Sequence, residues 1–434
     1  MKIGKLQIII LALAVLAAIF AVLIFSGILP GFGTFSPRPL VKLTVWGTLD
    51  DAIFLNPLSD LARPPYNLEV VYLKKNPATF DRELLDALAR QQGPDIIIFS
   101  SDLILSYRNK LRPIPPEFVS ERAFRDTFAD ATEILIMPDH KIVGLPLLID
   151  PLVLYYNKDI FRNEAIPEAP KTWVEFINSS QKFTKVSGSG AITRSGAALG
   201  VESNVRHFKE IFSLLVLETG TPIVEAGTLK VSFNPRQRED AVSNALRFYT
   251  EFADPEKASY SWSRALIPSN EAFSGEFLAT YFGFGSEFPG LKEKNPHLNF
   301  DIAPVPQIQD TKLILTYGKF FSLGITEQSP NFEAALESIR FLTSRDKLRD
   351  IAEGAFFAPA RRDLLGEKPN PHAYGPALET IYREAIKARS WLDIDYAKTS
   401  GIFGEMIKFV YSGIKSEIEA SGDAKIQLEA LYGN

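Results

Sequence analysis

Asp95-Ile96-Ile97-Ile98-Phe99 follows directly on the helix-stopping pair Gly93-Pro94, and four large apolar residues in a row leave this segment no polar face. A short strand apolar on both sides belongs in a parallel sheet covered by helices on both faces. The upstream chain supplies the rest of such a unit. Val41-Lys42-Leu43-Thr44-Val45-Trp46 alternates as a strand does, and Leu68 to Leu73 reads as a second strand. Between the second strand and Gly93, Phe80 to Gln91 places Leu84, Leu85, Leu88 and Ala89 on one helical face. Strand, helix and strand in this order predict an α/β layer built from right-handed crossover units.

Further along, Lys141 to Asn157 is a long, mainly apolar extended stretch interrupted by Pro146 and Pro151, which suit the edges and breaks of strands. Thr172 with Glu175 three residues on forms a capping box that opens a helix. Helical patterns follow at Val205 to Glu218, Gln237 to Phe252, Ser269 to Thr280, Asn331 to Thr343, Lys347 to Gly354, Pro371 to Arg389 and Phe403 to Ala420. Phe300 to Val305 reads as a strand. Neither an internal repeat nor a low-complexity tract is present.

The N-terminus carries a different signal. Ile8 to Phe25 contains no polar or charged residue and reaches the roughly 18 residues that span a bilayer as a helix. Lys2 and Lys5 precede it and no basic residue follows before Arg38, a bias that holds the N-terminus in the cytoplasm and exports the remainder. The run is longer than a signal-peptide core, and Ser26 to Ser36 offers no Ala-x-Ala site, so an uncleaved anchor is favoured over a cleaved signal. The expectation is an anchor or signal segment at 1–29, a linker at 30–39, and a single-pass cell-membrane protein with its C-terminal domain extracytoplasmic. The chain contains no cysteine, which excludes lipidation at a lipoprotein-type site, disulfides and thiolate chemistry. A net charge of −5 without a basic cluster argues against nucleic acid as a partner.

One long stretch is specific. Gly144-Leu-Pro-Leu-Leu-Ile-Asp150-Pro-Leu-Val-Leu-Tyr155-Tyr-Asn-Lys-Asp159-Ile-Phe161, continued by Ile166-Pro167 and Pro170-Lys-Thr-Trp173-Val-Glu-Phe176, resembles the bacterial extracellular solute-binding proteins of ABC importers, of the maltose-binding-protein type. Weaker matches stand around it in the family's order: Val45-Trp46, Gly93-Pro94-Asp95, Gly275-Glu276 before Phe282-Gly283, Asn295-Pro296, Ala303-Pro304-Val305-Pro306, Tyr317-Gly318-Lys319, and Pro359-Ala360-Arg361. The resemblance covers about residues 40–430 and departs at the N-terminus, where an apolar segment replaces a lipidated cysteine or a cleaved signal.

It implies a two-lobed, type II periplasmic-binding-protein-like α/β fold with discontinuous lobes. One lobe would comprise 40–147 plus 307–345, the other 150–303 plus 346–434, with hinge segments near Leu147 to Pro151 and Ala303 to Pro306. Hinge closure around a solute is the motion of this class. The implied role is capture of a sugar or oligosaccharide for ABC permease subunits, by a monomer without cofactor or metal. Binding of a polyamine, peptide or cation, or of a surface polymer without transport, is the alternative.

Sugars are held by aromatic faces against ring C–H groups and by carboxylates and amides on the hydroxyls. In open α/β sheets such groups gather at the carboxyl ends of strands. The candidates are Thr48, Asp50 and Asp51 after the first strand, Phe99 and Asp102 after the Gly93-Pro94 strand, Asp150 at the hinge, Trp262, Phe284, Tyr317 and Trp391. Asp50, Asp51 and Asp102 could equally cap helices. Trp46, Tyr155 and Tyr156 fit strand packing better, and Trp173 belongs to the helix start. The resemblance also brings Lys319 to the Gly-rich loop near the solute. No nucleophile-elbow, phosphate-loop or zinc-protease motif occurs, and His140, His207, His297 and His372 have no metal-ligand spacing, so catalysis is not expected.

Overall fold

In the computed structural model, residues 4–25, 40–232, 240–370 and 374–433 are described. The strands, in chain order, are β1 Val41–Gly47, β2 Leu68–Lys74, β3 Ile96–Ser100, β4 Leu111–Arg112, β5 Leu145–Asn157, β6 Lys185–Val186, β7 Ile192–Ala197, β8 Leu278–Phe284, β9 Phe300–Ala303, β10 Thr316–Thr326, β11 Ala358–Pro359 and β12 Ala388–Arg389. β1 pairs in parallel with β2 and β3, as the strand–helix–strand pattern requires. All five residues of β3 are buried, the consequence of its having no polar face.

Two long strands organise everything else. β10 runs antiparallel to β3 along one edge and to β5 along the other. The first part of β5, Leu145 to Pro151, pairs with β10, while Leu152 to Asn157 pairs with β8 and β9. The strand order is β2-β1-β3-β10-β5-β8-β7-β6. This is a two-lobed α/β architecture in which β5 passes from one lobe into the other. Its prolines do not break it: Pro146 sits where the β5–β10 register shifts, and Pro151, opposite Gly318, is the last pair of that ladder, so one missing N–H falls at an irregularity and the other at the ladder's end.

Helix Arg345–Ala355 and β11 lie against the first lobe. Lys347 Nζ is 2.6 Å from Asp60 Oδ2, and Ala358 and Pro359 pair with Ile149 and Leu148. The chain thus stays against the first lobe past 346, where the second was expected to resume.

Most helices form close to where the periodicity puts them, among them Phe80–Ala89, Phe208–Leu217, Ala241–Thr250, Phe332–Leu342 and Gly375–Lys387. Thr172 caps Trp173–Phe183 by accepting from Glu175 N at 3.2 Å. Two expectations fail. The Ser269 to Thr280 pattern is a helix only to Ser274; it ends at Gly275, and Leu278 onward is the fully buried β8. The Phe403 to Ala420 pattern is two helices, Tyr396–Tyr411 and Glu417–Tyr432, separated at Gly413, whose φ of 67° no helix continues, and restarted by the Ser416–Glu419 capping box. The linker at 30–39, the start of the helix expected at Gln237, and residues 371–373 lie outside the described residues.

The membrane anchor is also corrected. Lys5–Phe25 is helical, but among the described residues no helix is long and apolar enough to cross a membrane. The single-pass, cell-membrane localisation is withdrawn.

β7 packs tightly on helix Trp173–Phe183: a Cβ added at Gly196 would lie 2.2 Å from the Ser180 carbonyl oxygen. Because that obstacle is backbone, Gly196→Ala should lower unfolding free energy by about 1–3 kcal/mol. Urea denaturation will measure it; an unchanged midpoint would show that the layer yields.

Candidate functional site

The β5–β10 register sets the site. Asp150 lies opposite Lys319, and Leu152 lies opposite Phe284. Side chains alternate along a strand and directly opposed residues share a face. Asp150, Phe284, Tyr317 and Lys319 therefore point to one side of the sheet at the crossover between lobes. The Phe284 and Tyr317 rings are 6.4 Å apart between centroids.

Asp150 is 4% exposed, and Ser286 holds it with two donors, its N–H at 3.0 Å and its Oγ at 2.5 Å. Burial pushes this carboxyl up to about 7, against the pull of the Ser286 donors and of Lys319; nearby Glu287 adds to the rise. Glu287 is itself fully engaged: Tyr281 donates to it at 2.7 Å, Phe284 N at 3.0 Å, and His207 Nε2 stands 2.6 Å away. Burial disfavours its charge, but these partners outweigh burial and keep it below the ordinary glutamate range.

From the first lobe, Asp102 comes within 3.6 Å of Lys319 Nζ. Burial opposes its ionisation, yet Lys319, Ser100 and Lys209 together hold it below its ordinary value. From the second lobe, Glu210 accepts from Tyr396 Oη at 2.9 Å. Tyr317 lies among these acids: burial first, then Glu210, Asp393 and Asp102, keep its hydroxyl neutral. Asp102 Oδ1 and Glu210 Oε2 are both buried without a hydrogen-bond donor, and such oxygens call for one.

The other candidates are placed elsewhere. Phe99 pairs with Ser322, an odd number of residues from Lys319, so it faces the opposite side of the sheet, edge-on to Tyr107. Asp50 caps the turn at Asp51–Phe54 by accepting from Ala52 N at 3.0 Å and pairs with Lys74 at 2.9 Å. Asp51 is exposed and Thr48 half-buried at the same strand end. Trp262 has no exposed surface and donates to Asn204 Oδ1 at 2.9 Å; its neighbour Ser261 donates to the Ala197 carbonyl at 2.8 Å inside the lobe. Trp391 is buried, 3.2 Å from Ser213 Oγ through its indole nitrogen. Tyr155 is buried among Phe273, Tyr281, Phe288 and Phe300, and Lys75 covers the Trp46 ring at 3.7 Å.

Ser286, Glu287, Glu210 and Tyr396 were not singled out from sequence. One signal for them was legible: Lys209-Glu210 is a charged pair inside the otherwise apolar helix Phe208–Leu217. Among the described residues no group of three or more metal-ligating side chains converges. A cavity of about 590 Å³ lined by Glu121, Arg125, Asp130, Glu133 and Arg389 adjoins β10, where Arg389 pairs with Tyr317. Its charges are mutually paired, Arg125 with Glu121 at 2.9 Å and Arg389 with Asp130 at 2.6 Å.

The sequence profile of the family described as bacterial extracellular solute-binding protein matches residues 66–374. The chain belongs to this family. The chain is similar to the maltodextrin-binding protein of Bacillus subtilis (strain 168), 23% identical over 227 residues, which cover 50% of this chain and 48% of that protein. The galactooligosaccharide-binding protein of the same organism is 24% identical over 286 residues, 63% of this chain and 62% of its own. The chain thus spans about half to two thirds of the curated relatives it matches. Among solved structures, the cyclic α-maltosyl-1,6-maltose binding protein of Arthrobacter globiformis superposes with a TM-score of 0.74 at 17% identity, covering 90% of this chain and 99% of that one. A cyclo/maltodextrin-binding protein complexed with maltotetraose gives 0.71, at 17% identity and 91% and 98% coverage. These likenesses establish the two-lobed solute-binding fold.

The Asp150 carboxyl generates a pH prediction. Its pKa is raised on folding, so between pH of about 4 and 7 the folded solute-binding protein holds a proton that the unfolded chain releases. Stability contributed by this group must fall as pH rises through that window, by at most about 4 kcal/mol. Asp150→Asn should remove this fall. Parallel melting curves from pH 4 to 8 that show the same slope for both proteins would contradict it. Glu218, raised to about 8 by burial, acts in the same direction in both proteins and cancels.

Proposed function

We propose that this chain is the solute-binding component of an ABC importer, and that as a monomer it captures a sugar or oligosaccharide between its lobes by hinge closure and delivers it to permease subunits. One observation carries the reading. Two buried acceptors without donors, Asp102 Oδ1 from one lobe and Glu210 Oε2 from the other, gather with Asp150, Lys319, Phe284 and Tyr317 where the lobes meet. Hydroxyl groups would supply the missing donors, and the aromatic rings would cover C–H faces. The names of the relatives, which bind maltodextrins and galactooligosaccharides, support the same solute class. Thr48 and Asp51, at the end of β1, are proposed as first-lobe contacts at the rim. Asp50, Phe99, Trp262 and Trp391 are proposed instead as supports of the scaffold.

The same two oxygens favour a second reading, since an ammonium group would also satisfy them. A thermal-shift panel of neutral mono- and oligosaccharides beside putrescine and short peptides separates the two. A matching sugar at a hundredfold excess over its Kd should stabilise the protein by about 2.7 kcal/mol. Asp102→Ala should weaken that sugar roughly 10- to 100-fold, as loss of a hydrogen bond to a charged acceptor does. Stabilisation by putrescine or peptides, with no response to any sugar, would overturn the carbohydrate reading.

A further inference from the structure

Lys209 is a cation with almost no access to water: its side chain is 3% exposed. It is not idle in the core. Its ammonium is bonded to Asp393 Oδ2, donates to Thr399 Oγ1 at 2.6 Å and reaches the Tyr396 carbonyl at 3.3 Å. Two rings complete the enclosure. The ammonium lies 4.0 Å from the Tyr396 ring centroid and 5.3 Å from that of Trp391. A carboxylate, a hydroxyl, a carbonyl and two aromatic faces around one ammonium are the chemistry with which proteins recognise cationic ligands.

The cage adjoins the seam between the lobes. Tyr396 is 40% exposed and its hydroxyl reaches Glu210, one of the two acceptors without a full set of donors. Asp102 of the first lobe feels the charge of Lys209, and Tyr317 that of Asp393. Ser106 Oγ of the first lobe donates to the Ile394 carbonyl at 3.3 Å, beside the cage.

We propose that Lys209 is a tethered occupant of a cation-binding cage at the inner wall of the cleft, and so a specificity-determining residue that turns amines away and leaves the cleft to neutral solutes. The proposal deepens the carbohydrate reading and rests on the cleft being where solute binds. The rings of Trp391 and Tyr396 are committed to the chain's own ammonium, which explains why the tryptophan nearest the seam offers no open face.

Lys209→Ala removes three carbons and the ammonium, the atoms of n-propylammonium, and leaves Asp393 buried without its partner. The variant should melt lower than the parent. Millimolar n-propylammonium should raise its melting temperature by several degrees, while the parent shifts by less than one degree and sodium at equal ionic strength shifts neither. Adding Asp393→Asn should abolish the response. If Lys209→Ala does not fold, refolding with and without n-propylammonium serves instead, and recovery only with the amine supports the cage. An equal shift of parent and variant, or no amine effect in melting and refolding alike, would overturn the proposal. These readouts use no sugar, so they stand or fall separately from the identity of the solute.

Discussion

The antiparallel pairing of β5 with β10 is the constraint on which the rest of the structure depends. β10 joins β3 of the first lobe to β5, and β5 then leaves for the second lobe, where β8 and β9 flank it. Two successive ladders on the one strand β5 therefore fix Lys319 against Asp150 and, two residues on, Phe284 against Leu152. A slip of one residue would send every member of this set to the opposite face of the sheet. Proline at 146 and 151 gives the register a further lock, since each tolerated position coincides with an irregularity or a glycine partner. Ser286 closes the arrangement by tying the second lobe to the one acid buried at the crossover.

Much of this frame was legible in the sequence because it is local. The four apolar residues of β3 allow no exposed face, and the capping residue Thr172 marks its helix within one residue. The Gly144-to-Phe176 stretch named the family because its order of strand, loop and helix is long and specific. Reading failed where a periodic pattern crossed a chain break that only geometry declares. Apolar residues continue from helix Ser269–Ser274 into β8, and from helix Tyr396–Tyr411 past Gly413, so spacing alone could not see either stop.

The site was half legible for a different reason. Acids at strand ends were found because strand ends are local features, and Asp102 and Asp150 converge accordingly. Of the aromatic candidates, Phe284 and Tyr317 come together at the seam, whereas Trp262 and Trp391 are buried in the protein. All four tryptophans are occupied by the protein itself: Trp46 under Lys75, Trp173 donating to Glu218 at 2.6 Å, Trp262 donating to Asn204, and Trp391 beside Lys209. A polar sequence neighbourhood such as Tyr260-Ser-Trp-Ser says that nearby backbone groups need partners, not that the indole meets solvent. Glu210, Ser286 and Tyr396 enter the site from three separate elements, and only the tertiary fold brings those together.

The energetics of closure follow from how little the lobes say to each other directly at this seam. Ser106 to the Ile394 carbonyl is a single contact at 3.3 Å, and the Arg389–Asp130 ion pair at 2.6 Å is partly exposed on both sides, a kind of pair that contributes no more than about 1 kcal/mol. A solute can shift an open–closed equilibrium only by the difference in its affinity for the two states. In the proposed capture, weak direct contacts would leave that difference to the solute, and the two oxygens that lack donors, Asp102 Oδ1 and Glu210 Oε2, stand on the two sides of the seam. On that reading, had Asp102 and Glu210 been satisfied within the chain, these two oxygens would give a solute no added affinity for the closed state.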